Sequence, residues 1–202
     1  MLKSIQKGPF IQSGMILTFL AFAFTGCDKD QSVAPEAEKG DEIVVDASSS
    51  TDWVYFSFSK GTVVEIENPS ESANWDLGLR RYHFSTNSGT SGNAQGGALD
   101  MGDLTWNDVV EAPANGYVVD DSLAYEGHSG TEMYSVNPVL ETWAERVGMP
   151  PTFVPSDHVF VVKTADGKFV KLWLKSYYND EGTSGHITFQ YDYEASGKRQ
   201  FN

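Results

Sequence analysis

Apolar and polar residues alternate with a period of two along most of this chain, in runs short enough to read as strands. Segment 42–46 sets Ile43, Val44 and Val45 between acids, and segment 53–58 carries Trp53, Val54, Tyr55, Phe56 and Phe58 across both faces of a pleat. In 62–67, Val64 and Ile66 share one side while Val63, Glu65 and Glu67 share the other, and Trp75, Leu77 and Leu79 line one face of 75–80. Segments 159–164 and 169–174 flank Asp166-Gly167, a pair that accepts the positive φ angles of a two-residue type I′ turn, so they predict the clearest hairpin of the chain. Ile187, Phe189 and Tyr191 close the pattern, with His186, Thr188 and Gln190 opposite.

Helical spacing occurs in two places. Thr105-Trp106-Asn107-Asp108 has the form of a capping box, with room for at most two turns before Pro113. Asn137-Pro138 predicts a better helix: Asn137 caps, Pro138 suits the first turn, Leu140, Trp143, Ala144 and Val147 make one apolar stripe, and Gly148 closes the end. The fold class is therefore mainly β, an antiparallel all-β domain with one or two short helices. Segment 85–98 is rich in Gly, Ser and Asn. A phosphate-binding loop would need Gly-Lys-Ser/Thr at its end, and no lysine lies between Lys60 and Lys163, so a surface loop with unusual backbone angles is expected.

The N-terminus departs from the strand pattern. Lys3 and Lys7 precede an apolar run over 15–24, and Thr25-Gly26-Cys27 follows with small residues. A bilayer span takes roughly 20 residues, so 1–26 reads as an export signal. Phe24-Thr25-Gly26-Cys27 resembles a bacterial lipobox, which implies a lipid on the Cys27 sulfur and a mature chain that begins there. The other readings are a secretory signal whose cysteine merely lies near the cut, or a buried helix with a free thiol. Cys27 is the only cysteine, so no disulfide framework can form within the chain. Residues 27–41 hold almost no large apolar side chain and predict a flexible tether; 42–195 is the folded domain and 196–202 a C-terminal tail. Removing 1–26, with two lysines and no acid, moves the formal net charge from −14 to −16. Such a chain offers no clustered cations to a phosphate backbone, which excludes a nucleic-acid partner.

Candidate catalytic groups do not assemble, and no enzyme is expected. Ser156-Asp157-His158 places three triad residue types side by side, but neighbours in extended chain point to opposite faces. His83, His128, His158 and His186 lie far apart without zinc-ligand spacing, and surface positions are expected for most of them. Asp100-Met101-Gly102-Asp103 lacks the spacing of a calcium loop. After loss of the signal the methionines are Met101, Met133 and Met149, with Met133 in the polar stretch 126–134 and Met149 in Gly148-Met149-Pro150-Pro151. They are either gap-filling core residues or soft, neutral metal donors.

Several segments carry a family resemblance in a fixed order: 53–61 (Trp-Val-Tyr-Phe-Ser-Phe-Ser-Lys-Gly), Asn74-Trp75-Asp76-Leu77, Thr86-Asn87-Ser88-Gly89 with Gly96-Gly97-Ala98, 159–168, and the terminal strand 185–191. Together with the lipobox, they resemble the HmuY-like haem-binding lipoproteins of Bacteroidetes over nearly the whole folded domain. The resemblance implies an all-β domain that takes haem (iron protoporphyrin IX) near one end and works with a TonB-dependent outer-membrane receptor, with host haem proteins as a source. The founding members grip iron with two histidines. Gly130-Thr131-Glu132-Met133 is similar to the family's Gly-His-x-Met stretch, with Thr131 in place of the histidine. Pro150-Pro151-Thr152-Phe153 is similar to its Gly-Pro-Thr-aromatic stretch, and Arg146-Val147-Gly148-Met149 precedes it without a histidine. Both regions keep a methionine, so the resemblance implies Met133 and Met149 as axial ligands of haem iron, with His128 as the alternative ligand. The haem carboxylates would stay in water or meet Arg80, Arg81 or Lys171. The expectation is a hemophore-like lipoprotein of the outer membrane, exposed at the surface and serving iron acquisition. Its rival is a surface β-domain that binds a glycan or a protein through exposed aromatics such as Trp106 or Trp143.

Overall fold

The computed structural model describes residues 42–127 and 130–201, and its regular structure is almost entirely antiparallel strand. Residues 1–41, with the expected signal, Cys27 and the tether, lie outside the described residues, as does His128. One sheet has five strands in the order β1-β13-β12-β11-β6, formed by β1 (Glu42–Asp46), β6 (Gly97–Asp100), β11 (Val159–Lys163), β12 (Phe169–Tyr178) and β13 (Ser184–Glu194). A second sheet, β3-β2-β4-β5, is built from β2 (Val54–Ser57), β3 (Thr62–Val64), β4 (Leu77–Arg80) and β5 (His83–Thr86). Two separate ribbons complete the fold: β7 (Asp121–Gly127) with β8 (Gly130–Val136), and β9 (Ala144–Val147) with β10 (Thr152–Pro155).

The alternation seen in the sequence explains why the sheets stack. Phe56, Leu77, Leu79 and Phe84 of the smaller sheet and Leu172, Leu174, Ile187 and Phe189 of the larger one belong to a single buried cluster. Phe56 meets Phe189 edge-on at 5.3 Å between ring centroids, which locks one sheet against the other. Strand β11 is buried on both faces: Phe160 and Val162 enter this cluster, while Val159 and Val161 enter a smaller one with Val109, Ala112, Phe169 and Phe201. The expected tail at 196–202 is thus part of the domain. Phe201 is buried, its N–H bonds to the Val110 carbonyl at 2.9 Å, and Gln200 bridges to Glu111. Burying such a ring contributes roughly 1.5–3 kcal/mol, enough to fix an otherwise polar terminus.

Three local expectations change. Asn137 caps as predicted, its Oδ1 accepting from Val139 N at 3.1 Å and Leu140 N at 3.3 Å, but only a 3₁₀ turn follows at Leu140–Thr142. Leu140 and Trp143 are the stripe residues that reach the core, whereas Val147 is exposed, so a helix would have no apolar surface for its second half. The chain instead extends, and residues 144–147 pair with 152–155. The Asp166-Gly167 turn is a three-residue connection closed by Thr164 N–H to Lys168 O at 2.9 Å, with only Gly167 at positive φ (83°), so it is not type I′. The glycine-rich segment is only partly surface, since Thr86, Asn87 and Ser88 are buried. A Cβ on Gly89, at φ 52°, would lie 2.0 Å from the Asp120 carbonyl oxygen, which is the close approach that requires glycine there.

Asp120 ties this segment down. Its carboxylate accepts from Thr86 N at 2.8 Å, Thr86 Oγ1 at 2.5 Å and Asn137 Nδ2 at 3.0 Å. Burial nevertheless pushes its carboxyl up to about 6, against the lowering effect of those bonds. A carboxyl raised on folding stabilises the fold most below its ordinary value of 3.8, and that contribution disappears as pH rises through about 6. Denaturant unfolding of the wild type and Asp120→Asn across this range should therefore show the wild type's relative stability falling between pH 3.8 and about 6 and levelling above it. A difference that does not vary with pH would contradict the assignment.

Candidate functional site

The two ribbons converge on one short piece of backbone, Arg80-Arg81-Tyr82-His83, where β4 reverses into β5. Arg81 makes the reversal at φ 55°, and its N–H donates to the Ala47 carbonyl at 2.7 Å. Tyr82 and His83 then face different neighbours. The buried His83 ring lies 4.5 Å from Tyr125 of β7 and 4.8 Å from Tyr134 of β8, and these two tyrosines stack at 5.4 Å. Arg80 covers Tyr134 at 4.0 Å, a cation–π contact on the same ribbon. Tyr82 lies 4.5 Å from Phe153 of β10 and 4.1 Å from His83. A continuous chain of rings therefore joins one ribbon to the other.

Glu141, in the 3₁₀ turn, holds this hinge together. Its Oε2 accepts from the Tyr125 hydroxyl at 2.6 Å and contacts His83 Nδ1 at 2.8 Å, and its Oε1 accepts from Phe84 N at 2.9 Å. The contact makes Nδ1 the protonated ring nitrogen of His83. Burial, then the bond to Glu141, pushes the Tyr125 phenol well above its ordinary range, so it stays a donor. Nothing in the sequence singles out His83, Glu141 or the two tyrosines, because the group is assembled from positions far apart in the chain. Surface positions were expected for most of the histidines, and His83 departs from that, being 3% exposed.

The outer sides of the ribbons carry the methionines. Tyr134 faces the hinge, so its neighbour Met133, paired with Ala124, lies on the opposite face and is 59% exposed. Met149 lies in the 148–151 turn between β9 and β10 and is 94% exposed, with Val147 and Val154 also exposed beside it. The gap-filling reading of these two residues is therefore wrong; among the described methionines, Met101 is the one that packs against a core cluster. The structure joins the two ribbons and leaves both thioethers on their solvent side. Among the described residues no group of three or more His, Cys, Asp or Glu is placed to hold a metal ion.

Other sequence candidates fall elsewhere. Lys171 is buried and donates to the Trp106 and Val109 carbonyls at 3.2 Å, so it cannot meet a ligand at the rim. Trp143 is 2% exposed and donates to the Tyr82 carbonyl at 3.0 Å, which removes it as a surface contact. His158 pairs with Asp100 at 2.9 Å rather than with its neighbour Asp157, so Ser156-Asp157-His158 forms no relay.

Fold and site define an all-β domain that offers two hinged hairpins with exposed thioether side chains. The family model for the HmuY protein matches residues 49–191, and the chain belongs to that family. No curated protein matches it. Among solved structures it is similar to an apo HmuY analogue of Tannerella forsythia, with 22% identity and a TM-score of 0.63 over 77% of this chain and 95% of that one. A Bacteroides vulgatus protein proposed to be HmuY-like and heme-binding gives 24% identity and a TM-score of 0.60 over 75% and 90% of the two chains. Apo PinO of Porphyromonas gingivitis gives 17% and 0.62 over 77% and 97%. At these identities the likenesses establish the fold.

Glu141→Ala would leave the His83, Phe84 and Tyr125 donors without their acceptor, at about 1–3 kcal/mol for each buried group left unpaired. Urea unfolding should show a loss of that order or greater, with faster proteolysis within 121–136, and Glu141→Gln should recover part of it. A Glu141→Ala variant as stable as wild type would contradict the hinge.

Proposed function

We propose that this protein captures haem, using Met133 and Met149 as the axial ligands of the iron, and acts as a binding protein rather than an enzyme. The observation that carries the reading is the exposure of both thioethers, one on each of two ribbons that share a single hinge. The donor chemistry fits: sulfur of this kind is soft and uncharged, as haem iron accepts. Val147 and Val154 beside Met149, and Ala124 opposite Met133, give the faces of a porphyrin apolar surface to cover. Family membership and the heme-binding proposal for the Bacteroides vulgatus relative support the same ligand.

Each residue then has a part. Met133 and Met149 bond the metal, the ring chain from Phe153 to Tyr134 fixes the spacing of the ribbons, and Glu141 holds that chain. Arg81 and Arg146 line one small pocket with Tyr82 and Phe153, and with Arg80 over Tyr134 they are the cations beside the hinge for the haem carboxylates. His128, five residues before Met133 in the sequence, is the rival ligand.

At the N-terminus, the lipobox reading makes Cys27 the anchor of an outer-membrane lipoprotein, with haem drawn from host haem proteins and passed to a TonB-dependent receptor. Cys27→Ser should move the protein from the membrane fraction to the soluble one in the native host. Unchanged membrane association would reject lipid anchoring at that sulfur.

Thioethers favour ferrous over ferric iron. Haem titrations followed in the Soret band should therefore give tighter binding under reducing conditions, and Met133→Ala with Met149→Ala should weaken it about tenfold or more. Equal or stronger ferric binding would overturn methionine ligation, and full affinity in the double variant with loss in His128→Ala would assign the iron to His128.

A further inference from the structure

A cavity of about 630 Å³ lies between the 102–107 segment that follows β6, residues 156–159, and Trp173 of β12. That volume is typical of a small-molecule site, and no residue of the cavity belongs to the haem reading. Trp106 and Trp173 line it with their rings 6.5 Å apart and inclined by 30°, which gives the cavity an aromatic wall. The remaining wall mixes apolar Leu104 and Val159 with polar side chains, chiefly Asp103, Asn107, Asp157 and His158. Asp100 holds His158 by its Nδ1 at 2.9 Å, and Asp100 is itself fixed by the Gly102 N–H at 2.7 Å, which leaves His158 Nε2 as the ring nitrogen for another partner. Asp157 is held at φ 60°, an uncommon backbone angle for a residue other than glycine.

The charges decide what class of ligand this wall accepts. No lysine or arginine lines the cavity while two aspartates do, so an anion finds no partner. An ammonium group is also disfavoured, because Lys171 at 4.3 Å from Trp106 and Lys175 at 4.5 Å from Trp173 would repel a second cation at these rings. A flat apolar molecule would strip water from Asp103 and Asp157 with nothing in return. What remains is an uncharged ring with an apolar face and hydroxyls around its edge. We infer that this cavity is a saccharide site, which stacks one neutral pyranose on Trp106 and Trp173 and holds its hydroxyls with Asp103, Asn107 and Asp157. The site is separate from the ribbons and stands whether or not they bind haem.

The test uses the mature protein, tryptophan fluorescence and saturation-transfer NMR, with the methyl glycosides of glucose, galactose, mannose and N-acetylglucosamine as neutral probes and choline and glucuronate as charged ones. At least one neutral glycoside should bind saturably with a dissociation constant below about 10 mM, and Trp106→Ala should weaken it about tenfold while leaving the haem titration unchanged. Should Trp106→Ala fail to fold, Asp157→Asn gives the same reading through a smaller loss of affinity. No saturable neutral glycoside, tighter binding of choline or glucuronate, or a glycoside affinity that survives these substitutions would overturn the proposal.

Discussion

The carboxylate of Glu141 is the contact on which the placement of the two ribbons depends. A two-stranded ribbon is marginal in water by itself, and β7–β8 and β9–β10 lie outside both main sheets. They are held by a short chain of aromatic rings that begins at Phe153, passes through Tyr82 and His83, and ends on Tyr125 and Tyr134. Glu141 fixes the middle of that chain by taking the Tyr125 hydroxyl, meeting His83 Nδ1 and taking the Phe84 amide. A charge-assisted cluster of this kind is short and directional, so it sets the relation between two ribbons that share little else.

The body of the domain supports that hinge by similar means, with buried acids joining segments that the sheets alone would leave apart. Asp76 accepts from Phe58 N at 2.9 Å and from Ala165 N at 3.0 Å, which links the smaller sheet to the β11–β12 turn. Burial pushes its carboxyl up, as it does that of Asp120, while backbone donors oppose the shift. The Asn74-Trp75-Asp76-Leu77 segment is therefore a junction: Trp75 is buried with its indole donating to Pro69 O at 2.9 Å, Asp76 bridges, and Leu77 enters the main core. Acidity in this chain serves both the solvated surface and a few internal ties.

β5 and β6 fell in or beside the glycine-rich segment read as a loop, whereas the other seven strands of the two sheets were legible in the sequence because alternation between two faces writes a period of two. The ribbons were not. Glu126 to Tyr134 read as a polar loop because one side of that hairpin is solvated and the other rests on His83 through two tyrosines, leaving too few apolar positions to form a pattern. The 138–147 stripe had true helical spacing, yet only Leu140 and Trp143 are fully buried in the core, Ala144 packs at its margin, and residues 144–147 pair with β10. Phe201 gave no periodic signal as a single aromatic in a polar terminus. Met133 and Met149 were reached through family resemblance, and what the structure adds is their exposure.

That exposure gives the account its central claim, that two sulfurs from two hinged ribbons meet one iron. Iron K-edge X-ray absorption of the haem-loaded protein tests it most directly. The account predicts two sulfur scatterers in the first coordination shell in addition to the four porphyrin nitrogens. A shell composed only of nitrogen and oxygen would contradict it.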